Sequence, residues 1–307
     1  MIASNVRNDM LPHEKLTPGV LVRISADVQR LTASNASLMT GPGTNTYLLG
    51  DPPVAVLDPG PDDAAHLSLL VQAAPRLRFV FVTHTHRDHS CGARSLAAAT
   101  GAPIVGLRPP ADGRQDDSCV PDLQPANDHL FVLSPLRGAE TPPADSSKQA
   151  ASAPRLRAIH TPGHASNHVC YLLEEEGLLF SGDHVLDGVT PVILAPDGDM
   201  SAYIDSLQRL KRYPLRAIAP GHGRVLQDPI DVIDKVIAHR GRREAKVLSV
   251  LDALGRAGLA DLLPRVYDDV RPELLPIARL TLEAHLIKLA REGRSAREGD
   301  EWRACRE

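Results

Sequence analysis

The stretch FVTHTHRDHSCG, residues 81–92, decides the reading of this chain. It places His84, His86, Asp88 and His89 within six positions, directly after the apolar run Phe79, Val80, Phe81 and Val82. Such a run predicts a strand, so four side chains with lone pairs arrive together at a strand end. A metal ion requires several lone pairs converging on one point.

Later segments supply more of them. His164 lies in HTPGHASNH, Asp183 in FSGDHV and His222 in APGHG. Each follows an apolar β run and stands beside Gly or Pro, where a tight loop can bring a side chain to the rim of a sheet. A lone histidine at a strand end is ordinarily a hydrogen-bonded surface residue. Three separate loops of this kind, added to a cluster of four, make coincidence a poor account.

Composition narrows the class. At 307 residues the chain suits one large domain or two unequal ones. A formal net charge of −4 provides no overall basic field for nucleic acid or anionic membrane, and 3% aromatic residues, with Trp302 the single tryptophan, make a broad base-stacking platform unexpected. Cys91, Cys119, Cys170 and Cys305 lack CxxC spacing, and reduced thiols are the simplest account. The opening MIASNVRNDMLPHEKLTPG lacks the pattern of a secretory signal and no run approaches the roughly 18 apolar residues of a membrane span, so a cytoplasmic protein is expected.

Strand-like runs recur at VLVRIS (20–25), NTYLLG (45–50), VAVLD (54–58), RFVFVT (78–83), RLRAIH (155–160), HVCYLL (168–173), GLLFSG (177–182) and RAIAPG (216–221). Helical spacing lies between some of them, as in DDAAHLSLLVQAA and MSAYIDSLQRL. The order predicts a layered α/β unit over 1–225. Residues 108–153, rich in Pro, Asp, Ala and Ser with one apolar island at HLFVLSPL (129–136), read as a surface insertion, either a tolerated loop or a lid over the cleft, with GAETPPADSSKQAASAP as its disordered tail. Residues 226–307 differ: charge balances there, and Val232, Ile233, Val236, Ile237, Val247, Leu248, Leu251 and Leu254 recur at helical spacing. A second helix, PIARLTLEAHLIKLAREG, precedes a charged end expected to form a two-stranded wing closing on Trp302.

HTHRDH, followed in order by His164, Asp183 and His222, resembles the HxHxDH signature and remaining ligands of the metallo-beta-lactamase superfamily over roughly residues 18–225. The resemblance implies an αββα sandwich with two divalent metal ions at one edge of its sheets. His84, His86 and His164 would hold the first ion, Asp88, His89 and His222 the second, and Asp183 would bridge them. A nitrogen and oxygen donor set suits Zn²⁺, with Mn²⁺ or Fe as alternatives. Water bridging such ions titrates near neutrality, so the implied nucleophile is a bridging hydroxide. Asp58 in VLDPG matches the family's aspartate near the site and is expected to orient a ligand histidine. His168 is read as a proton donor or substrate contact, or equally as a structural histidine, and Asn45 as a residue lining the cleft or shaping a turn. Cys91 is expected to be a small buried residue.

Asp183 separates the branches, because true lactamases of the superfamily lack the bridging aspartate. GTNTYLLG, HTPGH, AYIDSLQRL and the tail from AHRGRREAKVLSVL to HLIKLAREG resemble the beta-lactamase-like protein 2 family, whose tail is a small winged-helix-like domain. That resemblance implies cleavage of single-stranded RNA. The glyoxalase II branch shares every ligand and hydrolyses glutathione thioesters, so a small-molecule ester or thioester is the rival substrate. Arg240, Arg242 and Arg243 would meet a phosphate or a glutathione carboxylate, or form an exposed charged face. A non-catalytic interaction protein with structural metal is a further alternative, which a complete two-ion set disfavours.

Overall fold

Side chains alternate between the two faces of each strand, so every sheet must find something to cover both sides. The computed structural model describes residues 16–111, 113, 115–134 and 153–305. Among them, β1 (Leu21–Arg23), β2 (Val28–Thr32), β3 (Asn45–Leu49), β4 (Ala55–Leu57), β5 (Phe79–Phe81) and β6 (Ile104–Val105) form one sheet in chain order. It is antiparallel as far as β4 and parallel from β4 to β6. Parallel neighbours need a crossover, which α1 (Ala64–Ala73) and α2 (Arg87–Thr100) provide. A second sheet runs from β7 (Leu130–Val132) through β8 (Arg155–His160), β9 (Val169–Leu173), β10 (Leu178–Gly182) and β11 (Ala217–Pro220) to β12 (Leu226–Gln227). Its one parallel step, β10 to β11, is crossed by α3 (Met200–Leu210).

The sheets face each other across a core that includes Tyr47, Leu49, Phe81, Tyr171, Leu173 and Phe180. Alternate residues point outward: Leu48, Val56 and Val80 pack with α1 and α2, whereas Ile159, Leu172, Leu179 and Ile218 pack with α3 and with the start of α4 (Pro229–Leu254). The result is the expected αββα sandwich. Each such Leu or Phe contributes about 1.5–3 kcal/mol through burial, which makes the sheet ends a stiff platform for the loops they carry.

α4 joins two cores. Ile233 and Val236 pack on the second sheet, while Val247 and Leu251 pack with α5 (Leu259–Val266), with Leu282, Leu286 and Leu289 of α6 (Leu275–Arg291), and with Trp302. A small sheet, β13 (Ala257–Gly258), β15 (Glu301–Ala304) and β14 (Ser295–Glu298) in that order, supplies the wing. Trp302, on β15, is buried against it as the sequence led one to expect, and the two-residue β13 adds a third strand to the expected pair. No helix among the described residues is long and apolar enough to cross a membrane.

The structure departs from the sequence reading in two places. VQRLT is strand β2, although its polar residues hid it. Within 108–153, the described residues are more than surface insertion: β7 is the edge strand of the second sheet, Phe131 and Leu133 enter the core between the sheets, and Gln115 and Asp116 are buried. Three edge residues amid Pro and Asp show no readable period. The segment expected to be disordered, 138–154, lies outside the described residues except for Ala153 and Pro154.

Candidate metal centre

β5 ends at Phe81, and α2 begins at Arg87 with His86 as its N-cap. Asp88 and His89 therefore stand in the first helical turn that follows the strand end. A carboxylate there is favoured by the helix dipole. His164 lies on the loop after β8, Asp183 directly after β10 and His222 just beyond β11. The strand ends of both sheets thus deliver their side chains to one rim.

Three groups converge there: His84 with His86 and His164, Asp88 with His89 and His222, and Asp183 with His84 and His89, the candidate ligand atoms of each lying within 4.8 Å of one another. Asp183 faces both triads. Its Oδ1 is 3.3 Å from His89 Nε2 and 3.4 Å from His222 Nε2, and its Oδ2 is 3.7 Å from His164 Nε2. Asp88 Oδ2 lies 3.2 Å from His222 Nε2 and 3.5 Å from His89 Nε2. Gly221 makes this approach possible, because a Cβ at that position would stand 2.6 Å from His89 Cε1 and 2.9 Å from Asp183 Oδ1.

The hydrogen bonds around the histidines show that a cation fits. His89 Nδ1 donates to Asp58 Oδ2 at 2.9 Å, His222 Nδ1 to the Gly43 carbonyl at 3.2 Å, and His164 Nδ1 to the Val192 carbonyl at 2.7 Å. Thr83 Oγ1 gives its own proton to Asp58, so it accepts from His84 Nδ1 at 3.0 Å. In the neutral rings each Nε2 is then a lone pair. Yet His89 Nε2 and His222 Nε2 face each other at 3.3 Å, and His84 Nε2 and His164 Nε2 both face His86 Nδ1 at 2.9 Å. Acceptors packed against acceptors and carboxylates need positive charge between them. The charges lean the same way. Without an ion between them the rings themselves must carry that charge: against burial, the carboxylates raise His89 and His222 above the usual imidazole range, and the protonated rings in turn hold Asp183 well below the usual carboxyl range and Asp88 at about 2.

Residues behind the cluster fix its shape. Asp58, buried and at a φ of 50°, accepts from Thr83 N at 2.7 Å and Thr83 Oγ1 at 2.8 Å as well as from His89, in the orienting position expected of it. Asn45 has no exposed surface and does not line the cleft; its Nδ2 donates to the Pro220 and Gly223 carbonyls at 3.0 and 2.8 Å, clamping the loop of His222. Thr85 donates to Gln115 and accepts from Asn167 Nδ2 at 2.6 Å, while Gln115 Nε2 reaches Asp197 at 2.6 Å. The segment read as tolerated insertion therefore braces the ligand loop. These partners have no spacing signature, and only the fold brings them together.

His168 takes the structural place of its alternative reading. It is fully buried, 5.1 Å behind the His84 ring, with Nδ1 on Thr161 Oγ1 at 2.8 Å, and burial first and then His184 lower its pKa well below 6.5. A side chain so enclosed packs the ligands and does not reach a substrate. Cys91 is half-buried, less enclosed than expected, and burial and then Asp116 push its thiol up to about 11. His184, passed over in the sequence, is buried beside His168 with neither ring nitrogen hydrogen-bonded.

A cleft of about 650 Å³ opens over His164 and Asp183, walled by Leu186, Val189 and Val236 and by the tail residues Tyr267, Val270 and Ile277. His239, unremarkable by spacing, also lines it. Of the expected anion-binding arginines, Arg240 is buried and donates to the Pro191 carbonyl, and Arg243 is buried against Asp269 at 2.8 Å. Arg242 is exposed and does not line the cleft.

Residues 39–222 match the metallo-beta-lactamase superfamily, and residues 259–302 match the beta-lactamase associated winged helix domain. The beta-lactamase-like protein 2 homolog of Drosophila melanogaster is 34% identical, over 91% of this chain and 92% of its own. The atrochrysone carboxyl ACP thioesterase AgnL7 of Paecilomyces divaricatus is 32% identical, over 79% of this chain and 70% of its own. A metallo-beta-lactamase family protein from Thermus thermophilus shares the fold at a TM-score of 0.70 and 21% identity, covering 92% of this chain and all of that one (100%). With a family match over more than half its length, and a fly relative aligned over nearly all of both chains, this chain belongs to the metallo-beta-lactamase superfamily, as a metal-dependent hydrolase with a winged-helix tail.

Proposed function

We propose that the chain hydrolyses an acyl ester or thioester, with residues 1–225 carrying the chemistry and residues 226–307 closing the cleft above it. His84, His86 and His164 would hold one divalent ion and Asp88, His89 and His222 the other, with Asp183 shared between them. The donors suit Zn²⁺, and also admit Mn²⁺ or Fe. Such ions supply Lewis acidity toward a carbonyl and lower the pKa of water. The chain does the rest. Asp58 holds the His89 tautomer, Val192 and Gly43 hold those of His164 and His222, and the apolar wall keeps bulk water from the reacting bond.

One observation carries the substrate class. The cleft holds few free cations: Arg243 is paired with Asp269, Arg240 is buried on the Pro191 carbonyl, and Lys235, on the exposed rim, stands beside Asp231 at 2.6 Å. A polyanion such as single-stranded RNA draws its affinity from free cations along a groove, so RNA cleavage is the weaker reading. The name of the Paecilomyces relative, an ACP thioesterase, agrees with acyl transfer to water. Metal-reconstituted protein assayed in parallel on an acyl thioester, S-lactoylglutathione and single-stranded RNA tests this. Thioester hydrolysis that Asp183→Asn lowers beyond the about 100-fold loss typical of an outer-layer partner is expected. Cleavage of RNA alone would overturn it.

A further inference from the structure

Leu38, Met39, Val189, Leu274 and Ile277 line the cleft yet, among the described residues, pack into none of the four hydrophobic cores. Leu38, Met39 and Val189 are 56%, 55% and 61% exposed. A single exposed apolar side chain needs no explanation. These five come from three segments remote in sequence and gather on one concavity, which does. At about 650 Å³ that concavity has the size of a site enclosing most of a small organic ligand.

Its floor identifies the occupant. His164 and Asp183 belong to the same cleft as the apolar wall, so a carbonyl brought to the candidate metal ligands has its substituent directed along that wall. A charged substituent finds little there to hold it: Arg243 is paired with Asp269, Arg240 is buried on the Pro191 carbonyl, and Lys235 stands on the exposed rim beside Asp231. We infer that the wall binds the substrate's apolar acyl chain and selects its length, with Val189 from the sandwich and Ile277 from the tail as opposing selectors. Which bond is cut rests on the acyl hydrolysis proposed above; binding of the chain does not. The winged-helix tail then acts as one side of a substrate pocket.

Calorimetry with the full-length, metal-loaded protein separates the two. Butyrate and decanoate share a carboxylate, so their difference isolates the chain. One buried methylene is worth about fourfold in affinity, so decanoate is expected to bind more than about tenfold tighter than butyrate. Ile277→Trp fills the pocket and Val189→Asp places a charge in it; each is expected to remove most of that preference and to lower the decanoyl-to-butanoyl ratio of thioester kcat/KM in proportion. Val189 is too exposed for its replacement to threaten folding. Equal binding of the two acids, or both variants retaining the preference, overturns the inference. Turnover with a flat chain-length profile also overturns it. Decanoate preference lost in the variants, but with no thioester hydrolysis by the parent protein, upholds the wall and removes the proposed reaction.

Discussion

Asp58→Asn should weaken one of the two candidate ion sites and leave the other intact. Asp58 accepts three hydrogen bonds within 2.9 Å, from Thr83 N, Thr83 Oγ1 and His89 Nδ1. An asparagine of the same shape keeps one acceptor for Thr83 N, but its amide must face Thr83 Oγ1 and His89 Nδ1, both of which now donate. Thr83 can rotate its hydroxyl. His89 can satisfy the amide only by presenting Nδ1 as an acceptor, which moves its proton to Nε2, the atom 3.3 Å from Asp183 and from His222. The triad of Asp88, His89 and His222 then loses a lone pair, whereas the triad of His84, His86 and His164 keeps all three. Disrupting an outer partner of a ligand histidine lowers metal affinity about 10–100-fold, or about 1.4–2.8 kcal/mol. The folding cost should be no more than about 1–3 kcal/mol for one poorly matched buried hydrogen bond. Competition with a chelator, read as two steps, should show one of two ions released early, with a thermal midpoint in excess chelator near that of the parent. Two ions retained with parental affinity would refute the tautomer argument.

Two further substitutions probe the surroundings. His285 in the tail core has no exposed surface, neither ring nitrogen is hydrogen-bonded, and burial followed by Arg240 depresses its pKa to about 3. Such a group contributes stability above its unfolded pKa near 6.5 that is lost as pH falls toward 3, which amounts to about 2 kcal/mol at pH 5. His285→Leu should therefore gain about 2 kcal/mol on the parent between pH 7.5 and pH 5 in urea unfolding, and an unchanged difference would count against the buried neutral imidazole. Gly221→Ala would drive a methyl group to 2.6 Å from His89 and 2.9 Å from Asp183. Overpacking of this kind costs about 1–3 kcal/mol, and the displaced ligands should bind fewer than two ions; full metal content by elemental analysis would show that the rim yields more than the packing implies.

HTHRDH was legible because metal chemistry demands particular atoms at particular spacings, and few other pressures put three histidines and an aspartate in six residues. His164, Asp183 and His222 were legible for a related reason: each stands where an apolar run meets Gly or Pro, and that junction is where side chains reach a sheet rim. The strands around them carry long-range order in a local pattern. VQRLT does not, since its burial is decided by neighbours in the sheet, and β7 is visible only once Arg155–His160 offers an edge to pair with.

The sequence by itself therefore determined the donor side chains, a layered α/β unit and the helical tail, because each is written in residue type and period; the αββα sandwich followed from the family resemblance. Tertiary structure alone decided which nitrogen of each imidazole faces inward, since that depends on Asp58, Gly43 and Val192, far away along the chain. It also moved His168 and Asn45 out of the cleft, turned Arg240 and Arg243 inward, and made the tail a wall of the cavity. Those outcomes turn on which polar groups find partners once the cores have packed, and partners remote in sequence leave no local trace.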